Sequence, residues 1–99
     1  MCTMIVHGVA IEGSGKGAQG WFELKRANVS FDHPYHAPYE HALNIDFVDE
    51  STEPGARVAV ELSAAAAREL VAAIQIVLAQ AETGGHLPSE SLTLRPSRV

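Results

Sequence analysis

One cysteine, Cys2, is too few for an intrachain disulfide. A chain without that staple reads as a protein of the reducing cytoplasm, not a secreted one. Basic residues are scarce as well, seven Lys and Arg against twelve Asp and Glu, for a formal charge of −5. Nucleic acid and anionic membrane surfaces call for a basic face, so neither is expected as a partner. The acidic balance favours solubility and suits a cation. The start Met1-Cys2-Thr3-Met4-Ile5-Val6 lacks a basic segment ahead of an apolar one, so no signal peptide is expected. The longest apolar stretch, near Ile74 to Ala79, reads as too short for a bilayer.

The apolar share, 46%, is ordinary for a globular chain, but much of it is alanine, which contributes little area per residue. A chain of this size buries a thin core. A homo-oligomer is therefore expected, since association supplies the missing burial.

Hydrophobic periodicity divides the chain into four strands and a helix. Met4 to Ile11 is apolar on both faces, the pattern of a covered strand. Gly13 to Gly20 is a glycine-rich turn. From Trp21 to Phe31 the alternation slips: Phe22 and Leu24 are even, while Ala27, Val29 and Phe31 are odd. A bulge near Arg26 or Ala27 accounts for that change. Leu43 to Val48 and Arg57 to Leu62 alternate cleanly around a Ser51–Gly55 turn and read as an antiparallel hairpin. Ser63 is a natural N-cap. Behind it, Ala64 to about Ala81 is a helix with Leu70, Ile74, Val77 and Leu78 as its buried stripe and Val71 at the margin. Gly84 and Gly85 end it. The expected fold is α+β: a four-stranded antiparallel sheet with one C-terminal helix packed on it, as a single domain over 1–85. Residues 86–99 read as a loose tail, in which Leu92 to Leu94 would either pair as a short strand or dock on a neighbouring subunit.

Against that plain background stands one dense segment. His33, His36 and His41 fall within nine residues, beside Asp32, Glu40, two prolines and two tyrosines. Histidine is the commonest metal ligand and the side chain that titrates near neutral pH. Pro34 and Pro38 cannot donate ladder hydrogen bonds, so the segment is a loop, and they restrict its backbone. Spacings of three and five residues let imidazoles converge on one ion. A catalytic zinc site commonly holds three protein ligands plus water. Asp32 or Glu40 would serve as ligand, as partner to a histidine N–H, or as general base. The spacing matches no standard zinc motif, so an acid–base pocket without metal and plain surface histidines remain open.

Two further residues are candidate ligands. His7 lies mid-strand among Ile5, Val9 and Ile11, either as a hydrogen-bonded core histidine or as a ligand carried by a rigid strand. Cys2 is a soft ligand for zinc. With Met1 removed it would instead be an N-terminal nucleophile whose amine acts as base. Gly15 to Gly20 formally matches G-x-G-x-x-G, but a strand follows it where phosphate binding requires a helix N-terminus. Trp21, Phe31, Tyr35 and Tyr39 either line a pocket near the histidines or pack the loop down.

The chain resembles a group of small uncharacterised bacterial proteins, a domain of unknown function. The resemblance rests on Met1-Cys2-Thr3, on Gly20-Trp21-Phe22 and on the run from Ala27 to Pro34. It continues through Glu40 to Val48 and Gly55 to Leu62, and covers roughly residues 1–85. It implies an identity and no mechanism, and carries over no catalytic residue.

The residues thus point to a small soluble metal-binding protein, zinc the first choice of divalent ion. His33, His36, His41, His7 and Cys2 are the candidate ligands. If it is an enzyme, hydrolysis or a lyase-type proton transfer fits, with Glu40 or Asp32 as base. Two other readings stand beside it: a non-catalytic accessory protein that binds a small ligand or partner, and an N-terminal-cysteine enzyme without metal.

Overall fold

A computed structural model describes residues 3–49 and 56–87. Cys2, the Ser51–Gly55 turn and the tail from 88, with Leu92 and Leu94, lie outside the described residues. The order is β1 (Ile5–Gly17), β2 (Gly20–Asp32), β3 (Ala42–Val48), β4 (Arg57–Leu62) and α1 (Ala64–Thr83). The four strands form one antiparallel sheet in chain order, followed by a single C-terminal helix. The α+β architecture is the one that the periodicity implies. The chain divides into two compact units, Met1–Ala67 and Arg68–Val99.

Register sorts the first unit into two unlike faces. Antiparallel partners share a face, so Ile5, Phe31, Leu43 and Leu62 form one cross-strand row. His7, Val29, Ile45 and Val60 form the next, and Val9, Ala27, Phe47 and Val58 the third. Every residue of those rows except His7 is apolar. The opposite rows run Val6, Ser30, Asn44, Glu61, then Gly8, Asn28, Asp46, Ala59, then Ala10, Arg26, Val48, Arg57. This second face is mostly polar. Asp32 lies at one end of it, whereas His33 and His41 follow Phe31 and Leu43 in register.

β1 and β2 are longer than their apolar patterns suggest because the glycine-rich segment extends the hairpin. Ala18 and Gln19 turn between the paired Gly17 and Gly20. Gly20 takes φ +114°, a left-handed position that glycine occupies without steric cost. At Gly8 the requirement is space. The Arg26 guanidinium crosses it, and an added Cβ would also stand 2.8 Å from Asn28 Oδ1.

The bulge is real, but its extra residue sits in β1, not near Arg26 or Ala27 in β2. Pairing passes from Ala10–Arg26 to Gly13–Leu24, leaving Ile11 and Glu12 opposite Lys25 alone. β2 itself alternates without a break. Phe22 and Leu24 therefore share a face with Arg26, Asn28 and Ser30, and the apolar residues of its two halves lie on opposite sides.

The core is thin. Among the described residues only Ala27 and Ala42 are buried apolar residues. Ile5 and Val9, on the apolar face of edge strand β1, are 55% and 51% exposed. Ser63 Oγ accepts the Ala66 N–H at 3.1 Å, the N-cap that the sequence marks. At the other end the Gly85 N–H reaches Glu82 O at 3.0 Å and the His86 N–H reaches Ala81 O at 2.8 Å. With φ +76° at Gly85, this is a Schellman ending. The helix stripe expected to be buried is exposed in the single chain: no α1 residue is buried. The apolar stretch near Ile74 to Ala79 belongs to a twenty-residue helix that is long and apolar enough, by length and composition, to cross a membrane.

Candidate metal centre

The β2–β3 connection decides which histidines meet. Asp32 and Ala42 are the last ladder pair, so the antiparallel register continues to His33 opposite His41. Seven residues separate these two only along the loop; across the hairpin they are neighbours. Their ring centroids are 5.0 Å apart with planes inclined by 26°. Phe31 supports His41 from behind, its ring stacked at 5.9 Å and 24°. Ala42, wholly buried, closes the base of the loop.

Asp32 completes the group. One ligand atom from each of Asp32, His33 and His41 lies within 4.8 Å of the other two, a separation that one ion can bridge. Asp32 and His41 are half-buried, and His33 is exposed. The Asp32 Oδ1 accepts the His33 N–H at 2.8 Å, which fixes the carboxylate at the loop entrance. The strand behind is tied on both sides. Asn44 Nδ2 donates to Asp32 O at 3.3 Å, and the Thr3 hydroxyl donates to Phe31 O.

The tip of the loop is held by a residue that sequence reasoning passed over. Glu61 faces outward from β4, and its carboxylate accepts three consecutive backbone N–H groups. Tyr35 N–H reaches Oε2 at 2.6 Å, His36 N–H reaches Oε1 at 3.0 Å, and Ala37 N–H reaches Oε1 at 2.8 Å. Such a nest of amides favours the anion. The Ala37 amide first, then that of Tyr35, hold the Glu61 carboxyl below its ordinary value; His36 adds to this, and partial desolvation opposes it. The available signal was alternation: in β4 the outward position next to Asn44 in register is Glu61.

Beside the group opens a cavity of about 430 Å³, lined among others by Asp32, His33, Asn44, Asp46, Arg57 and Glu61. Arg57 binds Asp46 Oδ1 through Nη2 at 2.6 Å and Nε at 3.0 Å. Asn44 Oδ1 is buried, with no hydrogen-bond partner among the described residues. The lining therefore offers three carboxylates and one guanidinium.

The other candidates stand apart. His36 is exposed at the loop tip beside Ala37, Ala59 and Glu61, three residues beyond His33, and is not in the convergent group. Glu40 is exposed and outside it too. His7 pairs with Val29, four residues before His33 along β2. At roughly 3.3 Å per residue that is about 13 Å, too far for one coordination sphere. His7 is also exposed, not enclosed in a core. Cys2 lies outside the described residues. The glycine-rich loop is a strand–strand connection, without the helix N-terminus that a phosphate needs.

The chain belongs to a family of unknown function, DUF6295, whose model matches residues 1–87. No curated protein and no solved structure matches it.

Proposed function

We propose that this member of a family without an assigned activity binds a divalent metal, zinc first among candidates, through Asp32, His33 and His41. The observation that carries the reading is the convergence of three ligand atoms within 4.8 Å at the mouth of a hairpin loop. Two imidazoles and one carboxylate are a recognised zinc donor set, and three protein ligands leave a position for water or substrate. The adjoining cavity of about 430 Å³ gives such a substrate a place to sit. A bound Lewis acid there would support hydrolysis or a lyase-type proton transfer. With Asp32 used as ligand, a general base would come from the carboxylates lining that cavity, Asp46 or Glu61. Of these, Asp46 is engaged by Arg57 and Glu61 by the loop amides, so each would first have to yield a hydrogen bond.

A second reading follows from the cavity lining, where the carboxylates of Asp32, Asp46 and Glu61 stand beside the Arg57 guanidinium. Such a lining favours a small polar ligand that carries N–H or O–H donors. On this reading the protein captures a small molecule without transforming it.

Elemental analysis of untagged protein separates the two. Stoichiometric zinc is expected, lost in His33→Ala and in His41→Ala and retained in His36→Ala. Protein that carries no metal and takes up none from a zinc titration would refute the metal reading. Loss in His36→Ala equal to that in His33→Ala would refute the choice of ligands.

A further inference from the structure

Helix α1 carries a pattern that the metal centre does not use. Leu70, Val71, Ile74, Val77 and Leu78 are 43%, 54%, 50%, 62% and 52% exposed. They recur with Ala67 and Ala81 at heptad spacing, three apolar positions in seven along one stripe. The caps at Ser63 and Gly85 show that both heptads are helical from end to end. A stripe of this size on a chain with a thin core needs a cover.

The flank of the stripe says what the cover is. Arg68, Gln75 and Glu82 are spaced by seven, so they form one column along the edge of the apolar seam. In an antiparallel pair of identical helices, equivalent flanks lie on the same face of the pair. Pairing centred near residues 74 and 75 puts Arg68 of one copy opposite Glu82 of the other, twice, with Gln75 meeting its own copy between them. The same register lays Ile74 on Ile74, Leu70 on Leu78 and Val71 on Val77, with the small Ala67 and Ala81 at the ends. Parallel pairing would carry the two columns to opposite faces of the pair, where neither Arg68 nor Glu82 meets its counter-charge. We infer that α1 is a homodimerisation helix, paired antiparallel with α1 of a second copy of this chain.

A membrane is the competing cover: α1 is long and apolar enough for one, but its charges leave only a short uncharged run. The uncharged stretch between Glu69 and Glu82 runs from Leu70 to Ala81, twelve residues. At about 1.5 Å per residue it spans about 18 Å, against a hydrocarbon core of about 30 Å. Gln75 and Gln80 lie inside that stretch. A two-heptad helix pair buries less than the roughly 800 Å² per partner of a standard interface, so a dissociation constant in the micromolar range is expected.

The test is sedimentation equilibrium of the full chain over a concentration series, in EDTA so that a metal cannot bridge copies. A reversible monomer–dimer equilibrium is expected. Ile74→Glu should leave monomer at every concentration, with far-ultraviolet circular dichroism confirming that it is folded. Arg68→Glu and Glu82→Arg should each weaken the dimer several-fold, and the double exchange should restore it. Monomer at all concentrations in the unaltered chain overturns the inference, as does a double exchange no better than the singles. Partition of the unaltered chain into zwitterionic vesicles would assign the helix to a bilayer instead.

Discussion

Glu61 does for the histidine loop what no histidine does, because both of its oxygens are engaged by consecutive amides of the loop tip. The ionised carboxylate is the form those amides favour, so folding lowers its pKa below the ordinary 4.5. The sign follows from linkage: a depressed carboxylate contributes stability that is fully present above its unfolded value and is lost as pH falls through the folded one. In metal-free protein the amide resonances of Tyr35, His36 and Ala37 should therefore share a titration with a midpoint under 4.5, and Glu61→Gln should abolish it. A shared midpoint at or above 4.5 would mean that the amides do not hold the anion. The same substitution replaces an acceptor oxygen with an NH₂ that faces N–H donors. The loop should loosen and zinc affinity fall about tenfold, the low end for a supporting group one step from a ligand. Isothermal titration with zinc reads that loss.

At the scale of elements, the helix ends make the sharpest test. Ser63→Ala removes the acceptor for the Ala66 N–H and should cost about 1 kcal/mol. Gly85→Ala forces a Cβ into φ +76° and should cost a similar ~1 kcal/mol. Urea unfolding followed by circular dichroism measures both, and an unchanged midpoint for either would mean that the cap contributes nothing. Those caps were legible because a cap acts over three or four residues and leaves its signature in adjacent letters. The strands of clean alternation, β3 and β4, were legible for the same local reason. The bulge's strand is not legible because the glycines around position 13 carry no polarity, so the sequence of β1 shows no slip where the pairing shifts. The meeting of Asp32, His33 and His41 was half legible. Composition singled out the segment, but only the register of β2 on β3 separates His33 and His41 from His36. Glu61 was hidden, because its partners are backbone amides and any sequence could supply them.

For the whole molecule, the thin core sets the terms. Ala27 and Ala42 are its only buried apolar residues among those described, and apolar side chains stay open on β1 and α1. A chain so built gains stability from whatever binds its folded state, in proportion to RT ln(1 + [L]/Kd). Zinc at 100 times its Kd would add about 2.7 kcal/mol, and for a chain of this size each kcal/mol raises Tm by about 4–8 °C. Thermal unfolding in zinc rather than EDTA should therefore show a rise of roughly 10–20 °C. His33→Ala and His41→Ala should show none. The centre lies in Met1–Ala67 and the helix stripe in Arg68–Val99, so Ile74→Glu tests whether the two act independently. It should lower Tm in both buffers and leave the zinc increment intact. An increment lost together with the dimer would mean that the ion completes its coordination only in the assembled pair, and the centre would then belong to two chains rather than one.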